Sequence, residues 1–200
     1  MIPTVPFRAR NRLAELILAS LADAGARDEL AAIARPGAGA PDWLMEDELP
    51  YRHLLRERAH RACAALASRP PGASVRSRAE GLDAAAILFD ASLYFEVHEL
   101  LEAFWRDARG DDREALQGLI QVAVGYQHLA NGNLAGARAL LEEGSGRLLG
   151  RQLDAIELGP FAHAVRRSLG RLLDFDWRAV PPFPSADFRA VRRTHRKETS

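Results

Sequence analysis

Apolar residues recur along most of this chain at the three- and four-residue spacing of helices, and almost nowhere in the alternation of a half-buried strand. Runs of Val, Ile, Thr and Tyr are missing, while Ala, Leu, Arg and Glu dominate, which favours helix. The pattern predicts a first helical segment over 8–34 with a break at Gly25, then a loop of strong breakers from Arg35-Pro36-Gly37 to Pro41. A second helix is expected over 48–68, with Pro50 tolerated in its first turn. Arg69-Pro70-Pro71-Gly72 ends it, and the small, polar, basic stretch to Gly81 reads as a linker. The third helix is expected from Asp83, as its cap, to Ala108, with Gly110 ending it. The fourth runs from Asp112 to Ala130, opened by a capping-box pattern at Asp111-Asp112-Arg113-Glu114 and stopped at Asn131-Gly132. Asn133 caps a fifth helix to Leu149, a short segment follows at 151–157, and Pro160 opens a last helix to Leu173. Beyond Phe175, Pro181, Pro182 and Pro184 forbid helix, and the chain ends in a basic run from Arg189 to Lys197.

These elements predict an all-α fold: a helical bundle over 81–175 built on a central antiparallel helix pair. An N-terminal helical extension and linker at 1–80 precedes it, and an extended Pro-rich and basic tail at 176–200 follows. Hydrophobic residues make up 48% of the 200, enough for a good-sized core. Acids and bases balance at 27 each, so there is no general pull on nucleic acid or anionic membrane. The basic tail reads as solvated rather than as a nucleic-acid contact. No apolar stretch reaches the roughly 18 residues of a membrane span, and no secretory signal is evident. Cys63, the only cysteine, excludes an intrachain disulfide and a thiolate zinc site, and fits a small core residue in a cytoplasmic protein.

Candidate chemistry gathers on the central pair. The fourth helix is apolar nearly all round, so its few polar residues are informative. At about 100° per residue, Gln117, Gln121 and His128 fall within about 40° of arc. Gly118 and Gly125 flank that stripe and let a backbone or ligand come close. In the third helix, His98 and Glu102 stand four apart beside Tyr94 and Trp105, with Glu99 and Glu96 close by. The short link at 109–111 makes the two helices antiparallel neighbours, so the stripes could face one another.

That constellation fits a buried hydrogen-bond network, a metal-free pocket, or a divalent metal site for Zn, Mn or Fe. For a metal, His98, Glu102 and His128 would be ligands, Glu99 or Glu96 a general base, and Gln117, Gln121, Tyr94 and Trp105 supporting groups. His98-Glu99-Leu100-Leu101-Glu102 has the shape of a zincin helix with Glu102 in place of the second His. His53, Glu57 and His60 share a face of the second helix, but Arg52, Arg56, Arg58 and Arg61 around them read as a solvated surface. No Gly-x-Ser-x-Gly elbow or phosphate loop occurs.

At these residues the chain resembles domain-of-unknown-function family 309, small helical proteins described as predicted metal-dependent hydrolases. The matching blocks are Tyr94-Phe95-Glu96, His98-Glu99, Glu102 and Trp105-Arg106; then Gln117-Gly118-Leu119-Ile120-Gln121, Ala123, Gly125 and His128; then Gly132-Asn133, Gly136-Ala137 and Leu140-Leu141. The resemblance covers about 84–150. It implies a compact helical bundle with a site among His98, Glu99, Glu102, Gln117, Gln121 and His128, and does not supply a substrate. The alternative expectation is a non-enzymatic interaction or scaffold protein whose polar network is structural. The partner would then be another protein, or a second copy covering the apolar fourth helix. A small-molecule partner fits the enzyme reading.

Overall fold

A computed structural model describes residues 5–70, 73 and 75–185; the basic run from Arg189 to Lys197 lies outside them. The helices are α1 (Phe7–Ala19), α2 (Ala24–Ala34), α3 (Arg52–Leu66), α4 (Arg78–Asp90), α5 (Tyr94–Asp107), α6 (Gly110–Ala130), α7 (Leu134–Leu148) and α8 (Gly159–Ser168). The fold is an all-α bundle. Between α7 and α8 lies a two-stranded antiparallel hairpin, β1 (Gln152–Leu153) and β2 (Ile156–Glu157), pairing Gln152 with Glu157 and Leu153 with Ile156. Asp154 and Ala155 both take positive φ, 46° and 61°, as a two-residue hairpin turn requires. Among the described residues no helix is long and apolar enough to cross a membrane.

The expected segment over 8–34 is two helices. The chain breaks just before Gly25, where the Asp23 carboxylate caps α2 by accepting from the Ala26 amide at 2.6 Å. Pro50 sits in a 3₁₀ turn, Glu46–Tyr51, that leads into α3. Here Arg8 from α1 grips the buried Glu48 carboxylate, which also accepts from the Met45 amide at 3.1 Å. Arg8 is the main reason that Glu48 is held below the usual carboxylate range.

The expected third helix differs more. It is two helices, and it starts earlier than Asp83. Ser77 accepts from the Glu80 amide at 3.2 Å while Glu80 accepts from the Ser77 amide at 2.9 Å, a reciprocal cap written in the sequence as Ser77-Arg78-Ala79-Glu80. Arg78 then reaches Asp112 on α6 at 2.6 Å and Asp154 of the hairpin at 2.8 Å, tying three elements together. Asp112 is thus an ion-pair partner in the first turn of α6 rather than its cap; Arg109 precedes the helix and makes no side-chain cap. Gly110 opens α6 instead of closing α5, which ends at Asp107.

The break between α4 and α5 has no glycine or proline. The Leu93 amide donates to Leu88 O and the Ser92 amide to Phe89 O, both at 2.9 Å, with Ser92 at φ 58°. This is the helix-ending turn that usually places glycine in the left-handed position. Burial of both Leu88 and Leu93 holds it closed. Ser92→Gly should therefore stabilise the protein by about 1 kcal/mol, read as a higher urea midpoint. A lowered midpoint would mean that the serine side chain contributes more than its backbone strain costs.

The core is continuous from Leu13 and Ile17 of α1, through Leu55 and Ala59 of α3, to Leu119, Val122 and Tyr126 of α6 and Val165 of α8. Phe89 is the hub of an aromatic cluster, with ring centroids 5.1 Å from Tyr94, 5.7 Å from Tyr126, 6.0 Å from Phe161 and 5.1 Å from Phe183. Phe183 belongs to the proline-rich stretch after the last helix, which thus seals the core.

Candidate functional site

Helix α5 buries Tyr94, Val97, Leu100 and Leu101 on one side, which leaves a second stripe to carry polar groups. On that stripe His98 Nδ1 lies 3.2 Å from Glu99 Oε1, and His98 Nε2 lies 3.8 Å from Glu102 Oε2. One donor atom from each of these three residues falls within 4.8 Å of the others, the sole such grouping of three or more potential ligands among the described residues. Their side chains are 29, 39 and 31% exposed, so water reaches the cluster without flooding it. Arg106, one turn further, touches Glu102 Oε1 at 3.2 Å. On the other side Phe95 stands 6.0 Å from the His98 ring and carries the Arg10 guanidinium of α1 at 3.9 Å.

Spacing explains the cluster. Residues four apart on a helix stand above one another, so His98, Glu102 and Arg106 form a column that needs no tertiary help. A donor set of one imidazole and two carboxylates suits Zn, Mn or Fe. The 3.8 Å between Nε2 and Oε2 is close to the roughly 3–4 Å separation of two donors bound to one ion at about 2.1 Å. The contact of Glu99 with Nδ1 is the kind of carboxylate–imidazole pairing that orients a metal-binding histidine.

The other residues singled out above lie elsewhere. Glu96 is fully buried and bidentate to Arg58 of α3, with Nε–Oε1 2.8 Å and Nη2–Oε2 2.7 Å. Its carboxylate joins α5 to α3 and faces away from the His98 cluster. Tyr94 is buried and stacks on Tyr126 at 5.6 Å; its hydroxyl donates to Ser92 Oγ at 3.4 Å, and burial pushes its phenol up. Burial pushes the Tyr126 phenol further, up to about 12. Trp105 supports the Arg113 guanidinium at 3.7 Å.

The α6 stripe does not face α5. A Cβ built at Gly118 would meet Leu148 and Gly144 of α7, and one at Gly125 would meet Leu141 of α7. The glycines admit a neighbouring backbone, and that neighbour is α7. Gln121 accordingly packs against Gly144, next to Glu143, whose carboxyl is held below the usual range by Gln121 first and Arg147 second. Gln117 is half-buried one turn earlier on the same stripe. His128 sits at the α6–α7 turn, where the Asn133 side-chain amide lies 2.9 Å from its Nδ1. The geometry therefore brings together His98, Glu99 and Glu102, and keeps Glu96, Gln121 and His128 in separate surroundings.

Arg58 is the residue that the sequence reading passed over, placing it on a solvated arginine surface. Its position carried a signal: Leu55, Arg58 and Ala62 follow the three- and four-residue spacing of the buried face of α3. His53, Glu57 and His60 are exposed.

Residues 82–140 match the family model described as Domain of unknown function (DUF309). The matched stretch contains most of α4, all of α5 and α6, and the first half of α7, including the His98 cluster. No curated protein and no solved structure matches the chain.

Proposed function

We propose that this chain, with its DUF309 segment, binds one divalent cation on α5 and uses it for hydrolysis. The observation that carries the reading is the convergence of one imidazole and two carboxylates within 4.8 Å on a half-exposed helix face. His98 Nε2 and Glu102 would hold the ion. Glu99 orients His98 through Oε1 on Nδ1 and, as the most exposed of the three, would accept a proton from water on its other oxygen. The ion, when bound, would supply Lewis-acid activation of water. Glu96 has no part in the chemistry, because its oxygens are committed to Arg58. A lone reduced Cys63 suits a cytoplasmic setting.

Zn²⁺ or Mn²⁺ at about a hundred times its dissociation constant should add about 2.7 kcal/mol, raising the melting temperature by roughly 5–10 °C. His98→Ala and Glu102→Gln should abolish that rise while leaving the metal-free protein within about 1 kcal/mol of the parent, since both side chains are well solvated. No rise, or the same rise in the double variant, would overturn the metal site. Ester and phosphoester turnover that needs the ion and is lost in Glu99→Gln supports the hydrolytic half; metal binding with no turnover of either class overturns it.

The scaffold reading keeps support from the rest of the polar set. Glu96 ties α5 to Arg58 of α3, Gln121 packs on Gly144 of α7, and His128 meets Asn133 at the α6–α7 turn, as structural glue would.

A further inference from the structure

A second feature lies next to the His98 cluster and shares none of its three clustered donors. Where α1, α3, the α4–α5 turn and the end of α6 meet, the surface opens into a cleft of about 640 Å³. That volume falls within the range of small-molecule sites, roughly 300–1,000 Å³. We propose that this cleft binds a small aromatic anion, a planar ring bearing a phosphate or a carboxylate.

Charge is the first argument. Arg10, Arg58 and Arg61 all line the cleft, against the single carboxylate of Glu57. Arg58 is neutralised by Glu96. Arg10 bonds only the uncharged amide of Asn11, and neither Arg10 nor Arg61 forms an ion pair among the described residues. Arg10 and Arg58 moreover stand over the same Phe95 ring, at 3.9 and 5.7 Å, so two like charges converge. Burial first and the Arg58 charge second weigh against the Arg10 proton, and the carboxylates of Glu99 and Glu96 offset this only in part. An anion between Arg10 and Arg61 would relieve this, and guanidinium groups match the geometry of both phosphate and carboxylate.

The ring is the second argument. Phe7 and Trp177, two of the few large apolar side chains that face water, both line this cleft, at 75 and 45% exposure. Exposed aromatic faces at the mouth of a charged cleft are stacking surfaces for a planar ligand. Ser92 is the third. It lines the same cleft in a left-handed conformation that glycine would hold at less cost. Its oxygen accepts from the Tyr94 hydroxyl, also in the cleft lining, at 3.4 Å, which leaves the Ser92 hydrogen to donate to the ligand.

The test titrates the full chain in EDTA, so that its outcome is separate from that of the α5 ion. Adenosine monophosphate and salicylate serve as phosphate- and carboxylate-bearing probes; adenosine and inorganic phosphate serve as ring alone and anion alone. At least one aromatic anion should bind saturably, about tenfold tighter than either half-probe. Arg61→Ala and Trp177→Ala should each weaken it about tenfold, and Arg138→Ala, remote from the cleft, should not. Ser92→Gly should weaken binding while making the protein more stable, a combination that a purely structural serine would not give. Absence of saturable binding of both aromatic anions at concentrations on the order of 10 mM, half-probes that bind equally well, or indifference to both Arg61→Ala and Trp177→Ala would each overturn the proposal.

Discussion

Glu96→Ala will lower the unfolding free energy by about 3–5 kcal/mol, the largest effect expected of any single carboxylate in this protein. The reason is the charge left behind. Glu96 has no exposure, and the Arg58 side chain retains only 11%. Two well-aligned hydrogen bonds, 2.8 and 2.7 Å, satisfy both groups together. Removing the carboxylate strands a guanidinium that is 11% exposed beside Phe95 and the like charge of Arg10, reached by water only from the cleft side. The pair itself is worth much less than its rupture costs, because each charge gave up its hydration on burial. Arg58→Met combined with Glu96→Leu should accordingly recover most of the loss. Urea unfolding of the two variants checks both statements. A Glu96→Ala protein within about 1 kcal/mol of the parent would show that the pair is far better hydrated than its burial implies. The same variant should keep its metal-induced thermal shift, since Glu96 is not among the three clustered donors. Carboxylates three positions apart, Glu96 and Glu99, thus have opposite roles.

How much of this was written in the sequence depends on the range of the interaction concerned. Helical periodicity and local caps are short-range, and they located most elements, down to Asn133 capping α7. The α4–α5 break escaped because its turn is closed by the burial of Leu88 and Leu93, a tertiary effect, with Ser92 where glycine would have signalled the stop. The reciprocal cap at Ser77 and Glu80 was legible but hidden in a stretch whose composition read as a linker. At the site, the column of His98 and Glu102 follows from four-residue spacing alone and was visible in advance. The partner of that column was not. A short α5–α6 link makes two helices neighbours without fixing which faces meet. That choice was made by Gly118 and Gly125, which draw α7 onto the face beside Gln117, Gln121 and His128 and so turn that stripe away from α5. The pairing of Glu96 with Arg58 spans 38 residues, and no local pattern encodes it.

If the glycines set the geometry of α6 against α7, Gly144→Ala should destabilise the protein by about 2–4 kcal/mol, even though alanine is the better helix former by about 1 kcal/mol. A Cβ at Gly144 would lie 2.9 Å from Gly118 O, 3.0 Å from the Val122 amide nitrogen and 2.9 Å from Gln121 Cβ. Two of those atoms are backbone and cannot rotate aside, so relief requires the helices to move apart along their whole contact. That movement would loosen Leu141 and Leu148 in their seats against Gly125 and Gly118, opening space that nothing fills. Gly146, two residues on in the same helix, provides the contrast. Its added Cβ would meet only Arg166 Nη1 at 3.9 Å, an ordinary contact. Gly146→Ala should therefore stabilise the protein by roughly 0.5–1 kcal/mol through helix propensity alone. Urea midpoints that move in opposite directions for two identical chemical changes would isolate the helix–helix approach as the cause. If Gly144→Ala proves neutral or stabilising, α6 and α7 are not locked by backbone contact, and the account of why Gln121 and His128 turn away from α5 loses its basis.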